Sequence, residues 1–175
     1  MTQREIRLTI LSQLQLEADS LLWDIGAGTG TIAVESALLC EGGSVVAFER
    51  DPDVVALIEA NCARFGAGNV EVVEGNAPDC LHDRTDRPTR ICVESSRAIA
   101  QILETAWGAL AVGGRIVATA NNLEALYAVS EGFARLQVRQ IEVVQASINR
   151  LERRGTNQAL AAIDPVFVLS GARLD

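Results

Sequence analysis

Asp24, Gly26, Gly28, Gly30 and Glu49 are the residues of this 175-residue chain whose types and spacing point to chemistry. Three glycines on alternate positions let a backbone turn tightly and approach a ligand where a Cβ would collide. A helix starting directly after them presents unpaired N–H groups to the same place. A carboxylate one strand later, at Glu49, can accept both hydroxyls of a ribose whose nucleoside lies over the loop. A nicotinamide dinucleotide is disfavoured, because its G-x-G-x-x-G fingerprint needs glycine at position 31 and that residue is Thr31. A glycine trio alone also fits a βα turn that holds nothing, so the rest of the chain has to decide.

Together the five residues resemble the cofactor site of Rossmann-like S-adenosylmethionine-dependent methyltransferases. That cofactor has no pyrophosphate and carries an ammonium, a carboxylate and a sulfonium, so an acidic Asp24 beside the loop suits it electrostatically.

Positioning these residues takes alternating strands and helices. Leu21-Leu22-Trp23-Asp24-Ile25 is a short β-prone run, and Thr31 to Leu39 carries apolar residues at helical spacing. Ser44 to Phe48 predicts a second strand ending at Glu49. Asp51-Pro52 then opens a helix that runs through Phe65 and stops at Gly66. Val70 to Glu74 reads as a third strand, and Gly75-Asn76-Ala77-Pro78 leaves its carboxyl end, where open α/β sheets place ligands.

The polar stretch 82–88 reads as a surface connection, which makes His82, the single histidine, a solvent-exposed residue and not a catalytic one. Arg90 to Val93, ending at Glu94, and Arg115 to Thr119 predict two further strands, each followed by a helix marked by Ile99, Ile102, Leu103 and Ala106 or by Leu123, Leu126, Tyr127 and Val129. Leu136 to Val144 and Val166 to Leu169 read as strands six and seven. With no helix between them they must pair antiparallel. Ile6, Ile10, Leu11 and Leu14 share one helical face, so Thr2 to Leu14 predicts an amphipathic helix lidding the sheet's edge. The expectation is one α/β domain over 1–175: a Rossmann-like class I methyltransferase fold, with a seven-stranded mostly parallel sheet, one antiparallel strand and helices on both faces.

Composition narrows the class. A 49% hydrophobic content predicts a sizeable core. No apolar run approaches the ~20 residues that span a bilayer, and Arg4, Glu5 and Arg7 place charge where a signal peptide needs its apolar stretch, so a cytoplasmic protein is expected. Cys40, Cys62, Cys80 and Cys92 lack C-x-x-C spacing, which favours buried thiols over zinc or disulfides, and no metal site is expected. The net charge of −8, with fifteen arginines and no lysine, argues against nucleic acid as a partner.

Further segments narrow the resemblance: Thr2-Gln3-Arg4-Glu5-Ile6-Arg7, Asn61-Cys62-Ala63-Arg64-Phe65-Gly66, Gly75-Asn76-Ala77-Pro78-Asp79-Cys80-Leu81, Gly113-Gly114-Arg115-Ile116-Val117-Ala118-Thr119-Ala120 and Asp164-Pro165-Val166. In this order they resemble the decarboxylating precorrin-6Y C5,15-methyltransferase family over nearly the whole chain. The likeness is to its C15-methylating subunit or domain in cobalamin biosynthesis. The resemblance implies S-adenosyl-L-methionine as cofactor, a tetrapyrrole (precorrin or cobalt-precorrin) as substrate, and a homotetramer, with a C5-methylating protein as a further candidate partner. It also implies that Gly26, Ala27, Gly28, Thr29 and Gly30 wrap the methionine part, that Glu49 holds the ribose, and that Ala77 offers backbone groups to the adenine. Asn76, where the family commonly has aspartate, can still accept from the adenine amine through its amide oxygen. Thr2 would close over the cofactor.

After strand four the family tends to have a glycine-rich loop, and this chain has Val93-Glu94-Ser95-Ser96-Arg97. Glu94 and Arg97 therefore either contact the substrate's carboxylates and amines or partly block them. Arg150, Arg153 and Arg154 lie in the expected connection between the last two strands. In a helical turn they would share one face and bind precorrin carboxylates; in a solvated loop they would only keep it soluble.

Displacement at a sulfonium needs an oriented nucleophile and a dry site more than a strong base, so no catalytic residue is assigned. Two competing functions remain: a class I methyltransferase acting on another small molecule, and a non-catalytic methyltransferase-fold protein that binds cofactor or a partner.

Overall fold

The computed structural model describes residues 3–94, 97–155 and 157–175, and for Arg154 only the backbone. Seven strands form one sheet in the order β3-β2-β1-β4-β5-β7-β6. They are β1 (Leu21–Ile25), β2 (Ser44–Glu49), β3 (Val70–Glu74), β4 (Arg90–Val93), β5 (Arg115–Ala120), β6 (Arg139–Arg154) and β7 (Asn157–Ala172). β1 to β5 pair parallel, and β7 runs antiparallel to both β5 and β6. Helices α1 (Arg4–Leu14), α2 (Thr31–Leu39), α3 (Pro52–Phe65), α4 (Ile99–Ala109) and α5 (Leu123–Arg135) cover the two faces.

Local chemistry sets the helix ends. The Asp51 carboxylate accepts from the Asp53 amide at 3.0 Å with Pro52 beside it, and Gly66 closes α3 at φ 71°. The Asn122 side chain accepts from the Ala125 amide at 2.8 Å and so starts α5. A parallel sheet covered on both faces makes each central strand apolar on both sides. In β1, Trp23 and Ile25 join the core under α4 and α5, while Leu22 joins the core under α1 and α2. Asp24 points to that second side as well, the one charge in an otherwise apolar strand.

Two expectations need correction. α1 does not lid the sheet's edge: it packs on the face of β4, β5 and β7 and against α2. Two arginines hold it there, which local periodicity could not show. Arg90 donates to the Gln15 carbonyl at 3.0 and 2.9 Å, and Arg115 reaches the Gln13 carbonyl and Ser170 Oγ, the latter at 3.0 Å. Both guanidinium groups are buried, and each neutralises carbonyls at or just past the C-terminal end of α1. Arg115→Met keeps the stem and removes the donors. It should destabilise the protein by about 2–4 kcal/mol, lowering the melting temperature by roughly 10 °C in a thermal scan.

The second correction concerns the last two strands, which are far longer than the expected 136–144 and 166–169. They form a hairpin of two 16-residue strands, each about 50 Å long, whose last pair is Arg154 with Asn157. β7 pairs with β5 only over Phe167–Ala172, so the remainder of the hairpin projects from the carboxyl end of the parallel strands. Pro165 fits because the register steps from Ala146↔Val166 to Ile148↔Ile163, which places Asp164 and Pro165 in a bulge. Arg150, Arg153 and Arg154 therefore lie in a strand, and the single helical face does not form. Strand alternation sends Arg150 and Arg153 to opposite sides.

Candidate active site

The strand order reverses between β1 and β4, and the crevice beyond their carboxyl ends is where an open α/β sheet binds ligands. A cavity of about 270 Å³ lies there, lined by Glu49, Arg50, Asn76, Ala77, Glu94 and Arg97 among others. Gly26, Gly28 and Gly30 hold φ of 80°, 54° and 75°, the left-handed region that an L side chain enters only with strain. A Cβ on Gly28 would meet nothing within 4 Å, so the space above it is open to a ligand, whereas one on Gly30 would lie 2.7 Å from Ile58 Cγ2.

The loop is braced from β2. Glu49 Oε2 accepts from the Gly28 amide at 2.9 Å, and Oε1 accepts from the Arg50 and Asp51 amides at 2.9 and 3.1 Å. Asn61 on α3 donates to the Thr29 carbonyl at 2.9 Å, while Thr29 Oγ1 is buried with no hydrogen-bond partner. Ala27 is buried against α2 and its surroundings.

Asp24 is fully buried, and neither carboxylate oxygen has a hydrogen-bond partner. Desolvation first, then the charges of Glu94 and Glu49, push its acid well above the ordinary carboxylate range. The nearby Ala33 amide lowers it without meeting hydrogen-bond geometry. Such a group calls for a cation or a proton.

Of the residues expected at the site, Gly26, Glu49, Asn76, Ala77, Glu94 and Arg97 line the cavity; Gly28 joins them through its bond to Glu49 and Asp24 through its closeness to Glu94, Ala27 is buried, and Thr29 and Gly30 face a separate pocket between α2 and α3. Thr2 lies outside the described residues, as do Ser95 and Ser96 of the loop after β4. Arg150 stands apart on the hairpin and pairs with Glu5 of α1 at 2.8 Å. His82 is exposed in the loop before β4, as expected. Sequence reasoning missed Arg50 and Ile102, which also line the cavity. The signal for Arg50 was its place next to Glu49 at the strand's end; for Ile102, its place in the first turns of α4.

The arrangement suits a nucleoside carrying a cationic amino-acid tail: open space over Gly28, an acidic acceptor for hydroxyls at Glu49, Asn76 and Ala77 beyond it, and an uncompensated buried carboxylate at Asp24. A cobalt-precorrin-6B C(15)-methyltransferase (decarboxylating) of Salmonella typhimurium is 31% identical over 97% of this chain and 88% of its own length. A probable enzyme of the same description from Pyrobaculum aerophilum is 35% identical over 97% of this chain and 87% of its own. The solved structure of a precorrin-6y C5,15-methyltransferase from Geobacter metallireducens superposes with a TM-score of 0.91 at 28% identity, covering 99% of this chain and 91% of that one. The precorrin methyltransferase domain matches residues 1–173, and with these relatives it places the chain in the precorrin methyltransferase family.

Proposed function

We propose that this protein transfers a methyl group from S-adenosyl-L-methionine to C15 of a precorrin or cobalt-precorrin, with loss of carbon dioxide from an acetate side chain. The observation that carries the reading is the open space over Gly28, whose amide is held by Glu49, together with the unpartnered buried carboxylate of Asp24 on the same strand-loop unit, which suits this cofactor's ribose and amino-acid end. When bound, the cofactor supplies an electrophilic methyl group. The chain's own part is to orient and to exclude water. Gly26 to Gly30 let the backbone approach the amino-acid part closely, with no side chain over Gly28 to hold it off, Glu49 accepts from the ribose, and Asn76 and Ala77 flank the adenine. Arg97 lines the cavity and places positive charge beside substrate carboxylates, which a chain of net charge −8 otherwise repels.

Incubation with the precorrin precursor and methyl-labelled cofactor should give label in the tetrapyrrole together with released carbon dioxide. Glu49→Ala should weaken cofactor binding at least tenfold, since it removes charge-assisted contacts worth about 1.5–3 kcal/mol each. Cofactor binding without any methyl transfer would turn the reading to a non-catalytic binding protein, and tight NADH binding would overturn the cofactor assignment.

The reading includes a homotetramer in the cytoplasm. Its support is the projecting hairpin, where Leu151 and Leu160 are cross-strand partners exposed at 63% and 69%. The four cysteines are free thiols, as a reducing compartment keeps them. Leu151→Glu with Leu160→Glu should shift the sedimenting species to smaller assemblies without lowering the monomer's melting temperature. An unchanged sedimentation coefficient would assign the contact elsewhere.

A further inference from the structure

Three polar side chains meet beneath the glycine loop: Asp24 of β1, with Cys92 and Glu94 at the end of β4, their polar atoms all within 4.8 Å of one another. The register sets Asp24 opposite Cys92, and Glu94 follows two residues on, on the same side of the sheet. Both Asp24 oxygens are buried without a hydrogen-bond partner, and Glu94 opens onto the cavity. The other charges around the cluster are Glu49 at the end of β2 and Arg50 and Arg97 on the cavity wall. From the helices, Arg7 of α1 is already engaged with Glu35 of α2 at 2.7 Å.

Two carboxylates this close share a proton or a cation. Charge-assisted N–H···O bonds of about 2.7–2.9 Å let one ammonium nitrogen bridge acceptors up to roughly 5.5 Å apart. A metal ion would recruit Cys92 as a thiolate, and the Cys92 thiol lies wholly within the apolar core, where burial pushes its ionisation well up.

We propose that Asp24 and Glu94 form a two-carboxylate clamp on a primary ammonium, that of the cofactor's amino-acid end, which makes Glu94 a cofactor residue and not a substrate residue. The proposal rests on the S-adenosylmethionine reading of the cavity. Burial holds the Asp24 acid well above the ordinary carboxylate range in the free protein, and a bound ammonium favours the carboxylate, so binding drives its proton to solvent and affinity rises with pH. In the clamp Glu94 adds a second acceptor to the cation site, while Arg97 lines the cavity beside it.

The test is calorimetric titration of wild type and Glu94→Gln with S-adenosylhomocysteine and with its analogue in which hydrogen replaces the amino group. Wild type should prefer the amine about a hundredfold and release close to one proton, read from buffers of different ionisation enthalpy. Glu94→Gln should cut the preference to about tenfold or less, and Glu94→Asp, which keeps the charge, should restore part of it. Equal preference in wild type and Glu94→Gln, with both proteins folded and binding, overturns the clamp and leaves the cofactor reading standing. Wild type that binds neither compound overturns both. Zinc titrated in parallel should bind no more tightly to wild type than to Glu94→Gln; zinc affinity lost in the variant with the amine preference unchanged would assign the cluster to a metal.

Discussion

Asp24→Asn should raise the stability of the free protein at neutral pH and weaken cofactor binding, two effects of opposite sign from one atom. In the free state the Asp24 carboxyl is raised far above its unfolded value, first by burial and then by Glu94 and Glu49. A group whose folded value is raised binds more protons in the native state. Its contribution is fully favourable below the unfolded value near 3.9 and is lost as pH rises toward the folded value, at about 1.4 kcal/mol per pH unit. Asparagine keeps the shape and removes that penalty, so the variant should melt higher at pH 7 by the equivalent of about 1–3 kcal/mol and show a flatter stability profile between pH 4 and neutrality. Cofactor affinity should fall by roughly tenfold to a hundredfold, the loss of one or more charge-assisted bonds. A variant that melts lower with an unchanged pH profile would mean that the carboxylate has a partner in solution.

The glycine loop offers the second large effect, as a contrast between neighbours. Gly28→Ala should cost about 1–2 kcal/mol, the strain of a Cβ at φ 54°, because nothing lies within 4 Å of the added atom. Cofactor affinity should nevertheless fall at least tenfold, since that empty space is where the ligand approaches the backbone. Gly30→Ala places its Cβ 2.7 Å from Ile58 Cγ2 at φ 75°, so overpacking adds to strain and the fold itself should lose about 2–4 kcal/mol. Thermal melts and calorimetry on the two variants separate the effects. If Gly28→Ala binds S-adenosylhomocysteine as tightly as wild type, the ligand does not lie over Gly28 and the site has to be redrawn.

Sequence by itself determined the strand, glycine loop and helix from Leu21 to Leu39, the acidic end of β2 at Glu49, the caps of α3 and the five parallel strands, because each depends on residues two to four positions apart along the chain. It also carried the family resemblance, since the order of short segments is a property of the chain alone. The hairpin was legible only at its buried base. Beyond the base the strands are at most half-buried, so no strong apolar alternation marks them, and Pro165 reads as a break until a bulge accommodates it. Only the tertiary structure decided that Arg90 and Arg115 hold the end of α1, that Arg150 and Arg153 diverge, and that Asp24 lies with Cys92 and Glu94. Asp24 lies 68 residues from Cys92, and Arg115 lies 102 residues from Gln13. Strand register and helix docking set whether they meet, and no local periodicity encodes either.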